Sequence, residues 1–141
     1  MANIIPDAFK SELLSGTHNF ANGGNTFKIA LFTDISGYST SSTTYSTTNE
    51  VSSSGTSYTA GGNALDSQAV SVASNTALVD FADEVFSSVT LSAVGAVIDN
   101  STNSDKLVVV LDFGGTKTAT NGDFTIQFPA AGASTAIIRI A

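Results

Sequence analysis

The segment from Lys106 to Phe128 constrains the fold more than any other part of the chain. Leu107 to Leu111 form an unbroken apolar run, and Phe124 to Phe128 alternate between large apolar and polar side chains. Strict alternation predicts a strand with one buried and one solvated face. The unbroken run has no face for water, so we expect cover on both sides, from a second sheet or a neighbouring subunit. We expect the two strands to pair with each other across a polar connection that is long for a hairpin.

Further strands are predicted where residues alternate or form short apolar runs, at 26–33, 64–73, 77–81, 88–98 and 136–140. Gly95, inside one of these strands, suggests a close backbone approach or a bulge. A short helix is predicted at about residues 6–15, because Ile5, Phe9 and Leu13 share one stripe and Gly16 suits the helix end. We therefore predict one all-β domain over residues 1–141, an antiparallel β-sandwich or jelly-roll-like barrel with one short N-terminal helix.

Residues 34–62 differ in character from the rest of the chain, because Ser, Thr and Gly dominate and apolar residues are sparse. So little apolar area cannot offset the ordering entropy of an independent substructure. We interpret the segment as an extended arm or long loop. Two alternatives stay open: a solvated flexible loop, or an arm that orders against another subunit. Because Thr and Tyr favour extended backbone, the segment could pair as an edge strand with itself or with a neighbour.

Composition and charge exclude several classes of function. The 141-residue chain has a formal net charge of −7, which opposes the electrostatic binding that proteins use on nucleic acid. It contains no cysteine, so neither disulfides nor thiolate metal sites can form. Because the first residues lack the features of a secretory signal and no apolar stretch is long enough to cross a bilayer, we expect cytoplasmic synthesis and no membrane partner.

The residues that could carry catalysis do not form a recognisable pattern. His18 is the only histidine, no serine lies in a nucleophile elbow, and we expect His18 to pack at the surface or the helix end. Asp80, Asp83 and Glu84 lie close enough to be considered as a glycosidase pair, but they have no matching partner elsewhere in the chain. The same acids, or Asp99 with Asn103 and Asp105, could hold calcium, although neither stretch has the spacing of a known calcium loop. We predict no enzyme activity, no catalytic residues and no cofactor or metal site, and leave bound calcium as an open alternative.

The chain resembles a family of small structural proteins of tailed bacteriophages. The resemblance rests on the order and spacing of FKSELLSG, TFKIALFT, TTNEV, YTAGG, VLDFG, GDFTIQFP and the closing AIIRIA. Two features depart from the family pattern, a longer stretch at 52–57 and Val94 where an Arg is common. The resemblance implies a virion component that decorates or cements the capsid.

We therefore predict a capsid decoration or cement protein that binds the outer face of a phage head as a homo-oligomer. Its expected partners are the major capsid protein or other virion proteins. The alternatives are a tail, fibre or neck component and, from another class, a glycan-binding module with tyrosines as its platform. The predicted contact residues lie beside the helix and in the arm: Ile4, Ile5, Phe9, Tyr38, Tyr45, Val51 and Tyr58. We also expect that deleting residues 39–47 would weaken binding to the particle and leave the domain folded.

Overall fold

The computed structural model describes residues 2–141, and within them β-structure dominates. The elements are α1 (Asp7–Leu14), β1 (Phe27–Phe32), β2 (Asn63–Ala64), β3 (Ala69–Ala73), β4 (Thr76–Asp80), β5 (Glu84–Asn100), β6 (Lys106–Ile126) and β7 (Ile138–Ile140). The strands form two antiparallel sheets, one with the order β2-β1-β5-β6 and one with the order β3-β4-β7. This arrangement is consistent with a β-sandwich, and a jelly roll is not confirmed.

One prediction about the opening segment is wrong: its two strands do not pair with each other. They are the two ends of β6, and both ends pair with β5, Val110 opposite Val97 and Phe124 opposite Phe86. The polar connection is itself extended, because Thr116 to Thr120 alternates threonines with Lys117 and Ala119, and threonine suits a pleated surface. The pairing shifts register next to Gly114, which adopts a positive φ of 75° and so forms part of a bulge in β6.

The two halves of the long β5–β6 hairpin differ in burial. Near the turn, residues 95–100 of β5 and 107–110 of β6 are all buried. In the other half, buried and exposed residues alternate along β5 and near the end of β6, whereas residues 114–118 of β6 are all exposed. The predicted cover on both faces of the Leu107 run is therefore confirmed, and so is the solvated face opposite Phe124 and Ile126.

The main core lies between the two sheets and contains most of the large apolar side chains. Phe20 and Phe27 stack at its helix end with ring centroids 4.3 Å apart, and Phe9 packs edge-on against Phe20. Phe81, in the connection between β4 and β5, packs edge-on against both Phe20 and Phe27 and completes this aromatic cluster. The helix thus covers one end of the core through Phe9, which is 2% exposed.

A second, smaller core lies on the opposite face of the large sheet. Phe32, Val97, Leu107 and Val110 project there from the sheet, and Ala30 lies among them. Their cover comes from the hydroxyl-rich segment: Ile35, Tyr38 and Tyr45 pack against them, with Tyr38 edge-on to Phe32 at 5.5 Å. Within one chain, this segment therefore packs against its own sheet instead of remaining a solvated loop. The segment returns to its own sheet because the sheet offers an apolar face and unpaired edges.

Backbone pairing fixes this segment, called the arm below (residues 34–62), to two strands of the large sheet, β6 and β1. The N–H groups of Tyr45 and Leu107 donate to the carbonyls of Asp105 and Thr43, which pairs the arm with β6. The Val51 N–H donates to the Leu31 carbonyl at 2.9 Å, which pairs the arm with β1. Edge-strand pairing is expected with the segment itself or with a neighbour, and in this structure the partner strands belong to the same chain.

The small sheet begins with a tight hairpin between β3 and β4. Ser74 and Asn75 form its two-residue turn with positive φ values of 48° and 63°, a conformation that asparagine tolerates well. The opposite edge of β4 pairs with β7, which ties down the last strand. No described residue pairs with the outer edge of β3.

Within residues 2–141, none of the helical structure has the length and apolar character needed to cross a membrane.

Candidate interaction surface

The outer edge of β3 is the least protected apolar element of the molecule. All five residues from Ala69 to Ala73 are exposed or half-exposed, and the side chains of Val70 and Val72 are 54% and 73% exposed. We call this element the valine edge. Unpaired N–H and C=O groups on a strand without charge or proline favour pairing with another chain.

The exposed valines continue the core-facing surface of the small sheet. Opposite residues on antiparallel strands point to the same face, and Val70 lies opposite Val79, which is buried in the main core. Val72 lies opposite Ala77, which lies opposite Ile140, and Ile140 is 52% exposed. The sheet therefore extends beyond the core that it covers, and its apolar face is open at that end.

A groove of about 340 Å³ runs between this open face and the end of α1. Leu13 and Phe20 form one wall, and Val70, Val79 and Ile140 form the other. Leu14, the last helical residue, is 88% exposed. Such a contiguous apolar surface on a chain with so little charge is typical of a protein contact site.

A larger cavity of about 720 Å³ opens along the outer edge of β6, near the C-terminal segment. Its lining mixes aromatic rings, Phe113 and Phe124, with charges of both signs, including Lys117, Asp123 and Arg139. The mixed lining does not indicate one kind of ligand, so we assign it no function.

The arm is closed by a carboxylate. Glu50 accepts hydrogen bonds from the Tyr45 and Tyr58 hydroxyls, the latter at 2.8 Å, and from the Gly61 N–H at 2.6 Å. The Tyr58 hydroxyl in turn accepts from the Leu31 N–H. Burial, followed by the hydrogen bond to Glu50, raises the pKa of Tyr45, and the pKa of Tyr58 is likewise raised mainly by burial. Both phenols therefore stay protonated and keep donating at neutral pH.

A buried acid lies close to this carboxylate. Asp99 is 3% exposed, and burial raises the pKa of its carboxyl to about 7. The nearby Asp105 carboxylate adds to the rise, while the Lys28 ammonium opposes it. The Glu50 carboxylate also repels a negative charge on Asp99. Ionisation of Asp99 therefore destabilises the region where the arm packs on the large sheet.

His18 packs at the helix end, inside a buried network. Its Nε2 lies 2.8 Å from a Glu12 carboxylate oxygen, and its Nδ1 accepts from the Asn100 amide at 3.0 Å. Burial alone would raise the pKa of Glu12, but hydrogen bonds from His18 and Lys106 lower it. These contacts tie α1 to the β5–β6 turn, and the predicted packing at the helix end agrees with them.

The predicted contact residues are mostly engaged within the chain. Phe9, Val51 and Tyr58 are buried in the main core, and Tyr38 is buried in the smaller one. Their role in contacting another protein stays an untested prediction, but in this structure their side chains already have intramolecular partners.

The other three predicted contact residues lie nearer the surface. Ile4 is half-buried and pairs with Val110 through two backbone hydrogen bonds, and Tyr45 is half-buried beside Phe32. Ile5 is 36% exposed and lines the larger cavity. Sequence reasoning missed Val70, Val72 and Ile140. The sequence did contain a signal: in Ala69–Ala73, valines alternate with small residues, and no large neighbouring side chain in the strand can shield them from water.

The acidic groups that the sequence offered as a glycosidase pair or calcium ligands serve structural roles. Asp83 accepts from the Phe128 N–H, and Glu84 accepts from the Asn63 amide. The Asn103 amide donates to the Thr17 carbonyl. In the described part of the chain, no three histidine, aspartate or glutamate side chains are grouped so that they could hold a metal ion.

Comparison with profiles of known protein families, with curated proteins and with solved structures found no match. The resemblance to bacteriophage structural proteins therefore stays a prediction from the sequence.

Proposed function

We propose that this protein is a structural component of a tailed-bacteriophage virion, a β-sandwich decoration or cement protein that binds the outer face of the head as a homo-oligomer. The observation that carries the proposal is the uncovered apolar groove beside α1, together with the valine edge. A chain with this composition gains little from exposing such a surface to water, so another protein is expected to cover it.

The charge of the chain supports a position outside the shell. A protein with a net charge of −7 is repelled by packaged DNA, whereas an outer position leaves it in contact with protein and solvent only. In the half of the β5–β6 hairpin that lies away from its turn, the exposed side carries hydroxyls such as those of Thr90, Ser92 and Thr118, which suit a solvated outer face. Weak contacts repeated over many copies would supply the overall attachment.

The structure changes the expected mechanism of attachment. The arm was the predicted contact element, but Tyr38, Val51 and Tyr58 hold it against its own sheet. We therefore assign the capsid contact to the groove, where Leu13 and Ile140 are available. The glycan-binding alternative needs exposed tyrosine rings, and with Tyr38 and Tyr58 buried no observation favours it.

Quantitative mass spectrometry of purified virions tests the proposal. Hundreds of copies per particle are expected for a decoration protein, because its sites repeat over the head. A few copies would move the protein to the tail or neck, and absence from the particle would refute the proposal.

A binding assay with heads that lack the protein tests the assigned contact. Ile140→Ser should weaken binding, because Ile140 lines the groove and is half-exposed, so the fold is retained. Val85→Ser is the matched control, since Val85 is 40% exposed but lies on the distal hairpin. Equal binding by both variants would refute the groove as the contact.

A further inference from the structure

The sequence of β3 reads the same in both directions, Ala-Val-Ser-Val-Ala from Ala69 to Ala73. When two copies of such a strand run antiparallel with Ser71 opposite Ser71, Val70 of each copy faces Val72 of the other. Every cross-strand pair is then chemically matched, with valine on one face of the sheet and serine or alanine on the other.

The register of the small sheet extends this match beyond the strand itself. One apolar row contains Ile138, Val79 and Val70, and the next contains Ile140, Ala77 and Val72. In the antiparallel arrangement each row of one copy continues into the other row of the second copy. Two apolar rows would then cross a continuous six-stranded sheet, and the two most exposed valines would cover each other.

Charges near the strand favour the antiparallel over the parallel arrangement. Asp66 and Asp80 lie near the Ala69 end, whereas the Ala73 end carries the neutral turn of Ser74 and Asn75. Antiparallel pairing places the acidic end of one copy beside the neutral turn of the other. Parallel pairing in register would bring the acidic ends together, at a cost for two chains that each carry a charge of −7.

We infer that β3 is a self-association edge, at which a second copy of this chain adds its own β3 antiparallel about a two-fold axis through Ser71. This inference specifies how the homo-oligomer of the proposed function would form, and it rests on the proposed function in that respect alone. The interface is isologous, so it closes at two copies.

Cysteine trapping tests the geometry directly, because the chain has no cysteine of its own. Residues opposite each other on antiparallel strands have Cα atoms about 4.5–5.5 Å apart, within the range that a disulfide spans. Ser71→Cys should therefore give a disulfide-linked dimer under mild oxidation. Ala69→Cys is the matched control, since its two copies would lie about 13 Å apart, too far for a disulfide.

Mixing two variants sharpens the result. Ala69→Cys mixed with Ala73→Cys should give crosslinked heterodimers, because residue 69 of one copy faces residue 73 of the other. Crosslinking of Ala69→Cys alone at the rate of Ser71→Cys would overturn the antiparallel arrangement. Absence of any crosslinking at Ser71→Cys in concentrated, folded protein would overturn the inference.

A charge at the axis gives a second readout without oxidation. Ser71→Lys places two ammonium groups opposite each other and should weaken the dimer about fivefold in sedimentation equilibrium, because like charges directly opposite destabilise a strand pair. Ser71→Thr should retain the wild-type association. A wild type that stays monomeric at high concentration would overturn the inference.

These experiments use purified protein, so they separate the two proposals. A chain that is absent from virions but crosslinks at Ser71 keeps the interface and loses the virion function. A chain that is abundant in virions but neither associates nor crosslinks keeps the function and loses the interface.

Discussion

The outer face of the large sheet and the outer edge of the small sheet both carry apolar side chains, but only the first is covered by the rest of the chain. On the large sheet, Phe32, Leu107 and Val110 are covered by the arm of the same chain. On the small sheet, Val70 and Val72 remain 54% and 73% exposed. The difference shows that this chain can cover an apolar surface even with a segment poor in apolar residues, so the bare edge is a feature that the fold leaves available to a partner.

The arm achieves its cover with few side chains because the sheet is already in place. Backbone pairing to β1 and β6 supplies partners for its N–H and C=O groups, and the Glu50 carboxylate holds its tyrosines. An independent arm would have to offset its ordering entropy alone. A docked arm shares the apolar face that the sheet provides. Substitutions on the covered face should therefore cost far more stability than substitutions on the bare edge.

Removing the covered ring should cost the most. Phe32 is fully buried between the sheet and the arm, so Phe32→Ala should lower the free energy of unfolding by about 3–5 kcal/mol. Chemical denaturation followed by circular dichroism measures this loss. A loss below about 1 kcal/mol, typical of an exposed site, would show that the arm does not cover the face in solution.

Ionisation of Asp99 should make the covered region sensitive to pH. Its folded pKa of about 7 lies above the ordinary value of 3.8, so the folded state holds the proton more tightly. The contribution to stability is then full below about pH 4 and is lost as the pH rises to about 7. At about 1.4 kcal/mol per unit of difference between the two pKa values, the loss is at most about 4 kcal/mol.

Asp99→Asn provides the control, because an amide has the shape of the protonated acid and does not titrate. The variant should be more stable than the wild type at pH 8, with a flatter stability profile between pH 4 and 7. An unchanged profile would assign the pH dependence to other groups.

A methyl group at Gly95 should separate the arm from the sheet. An added Cβ would lie 2.5 Å from the Leu111 carbonyl oxygen and 2.8 Å from Cδ1 of Ile35, an arm residue. Gly95→Ala should therefore lower stability by about 1–3 kcal/mol through overpacking. Gly37→Ala is the matched control within the arm, since a Cβ added there would have nothing within 4 Å. Equal stability of the two variants would contradict the close packing at Gly95.

The bare edge should respond least in the monomer. Val72→Thr changes a side chain that is 73% exposed, so dilute protein should lose less than about 0.5 kcal/mol of unfolding free energy. Self-association should nevertheless weaken, because a hydroxyl replaces a methyl group in the apolar row. A large loss of stability in dilute protein would show that the valine is covered within one chain.

Sequence reasoning reached the features that depend on local pattern. The apolar run at Leu107–Leu111 predicted cover on both faces, the stripe of Phe9 and Leu13 predicted the helix, and Gly95 predicted a close approach. It divided β6 in two because Gly114 and Gly115 end the apolar run, and Asn121 with Gly122 suggested a polar connection. In fact residues 114–118 are exposed and still belong to the strand, because threonines and a lysine can occupy a solvated strand surface.

The arm and the valine edge could not be predicted in the same way. Cover of Phe32 by Tyr38 depends on which chain segment reaches a given face, and that is decided by the whole fold. Likewise, the exposure of Val70 and Val72 follows from the position of β3 at a sheet edge, which alternation alone does not reveal. In both cases the unpredicted feature is the neighbour of a strand. The sequence pattern of a strand indicates which of its faces need cover, but it does not indicate which segment supplies that cover.

Amide hydrogen exchange at two protein concentrations tests the central contrast most directly. The arm amides that pair with the large sheet, such as those of Tyr45 and Val51, should be protected to the same degree in dilute and concentrated protein. The β3 amides that β4 leaves unpaired should exchange rapidly in dilute protein and become protected as the concentration rises. Rapid exchange throughout the arm, or β3 exchange that does not change with concentration, would contradict the account.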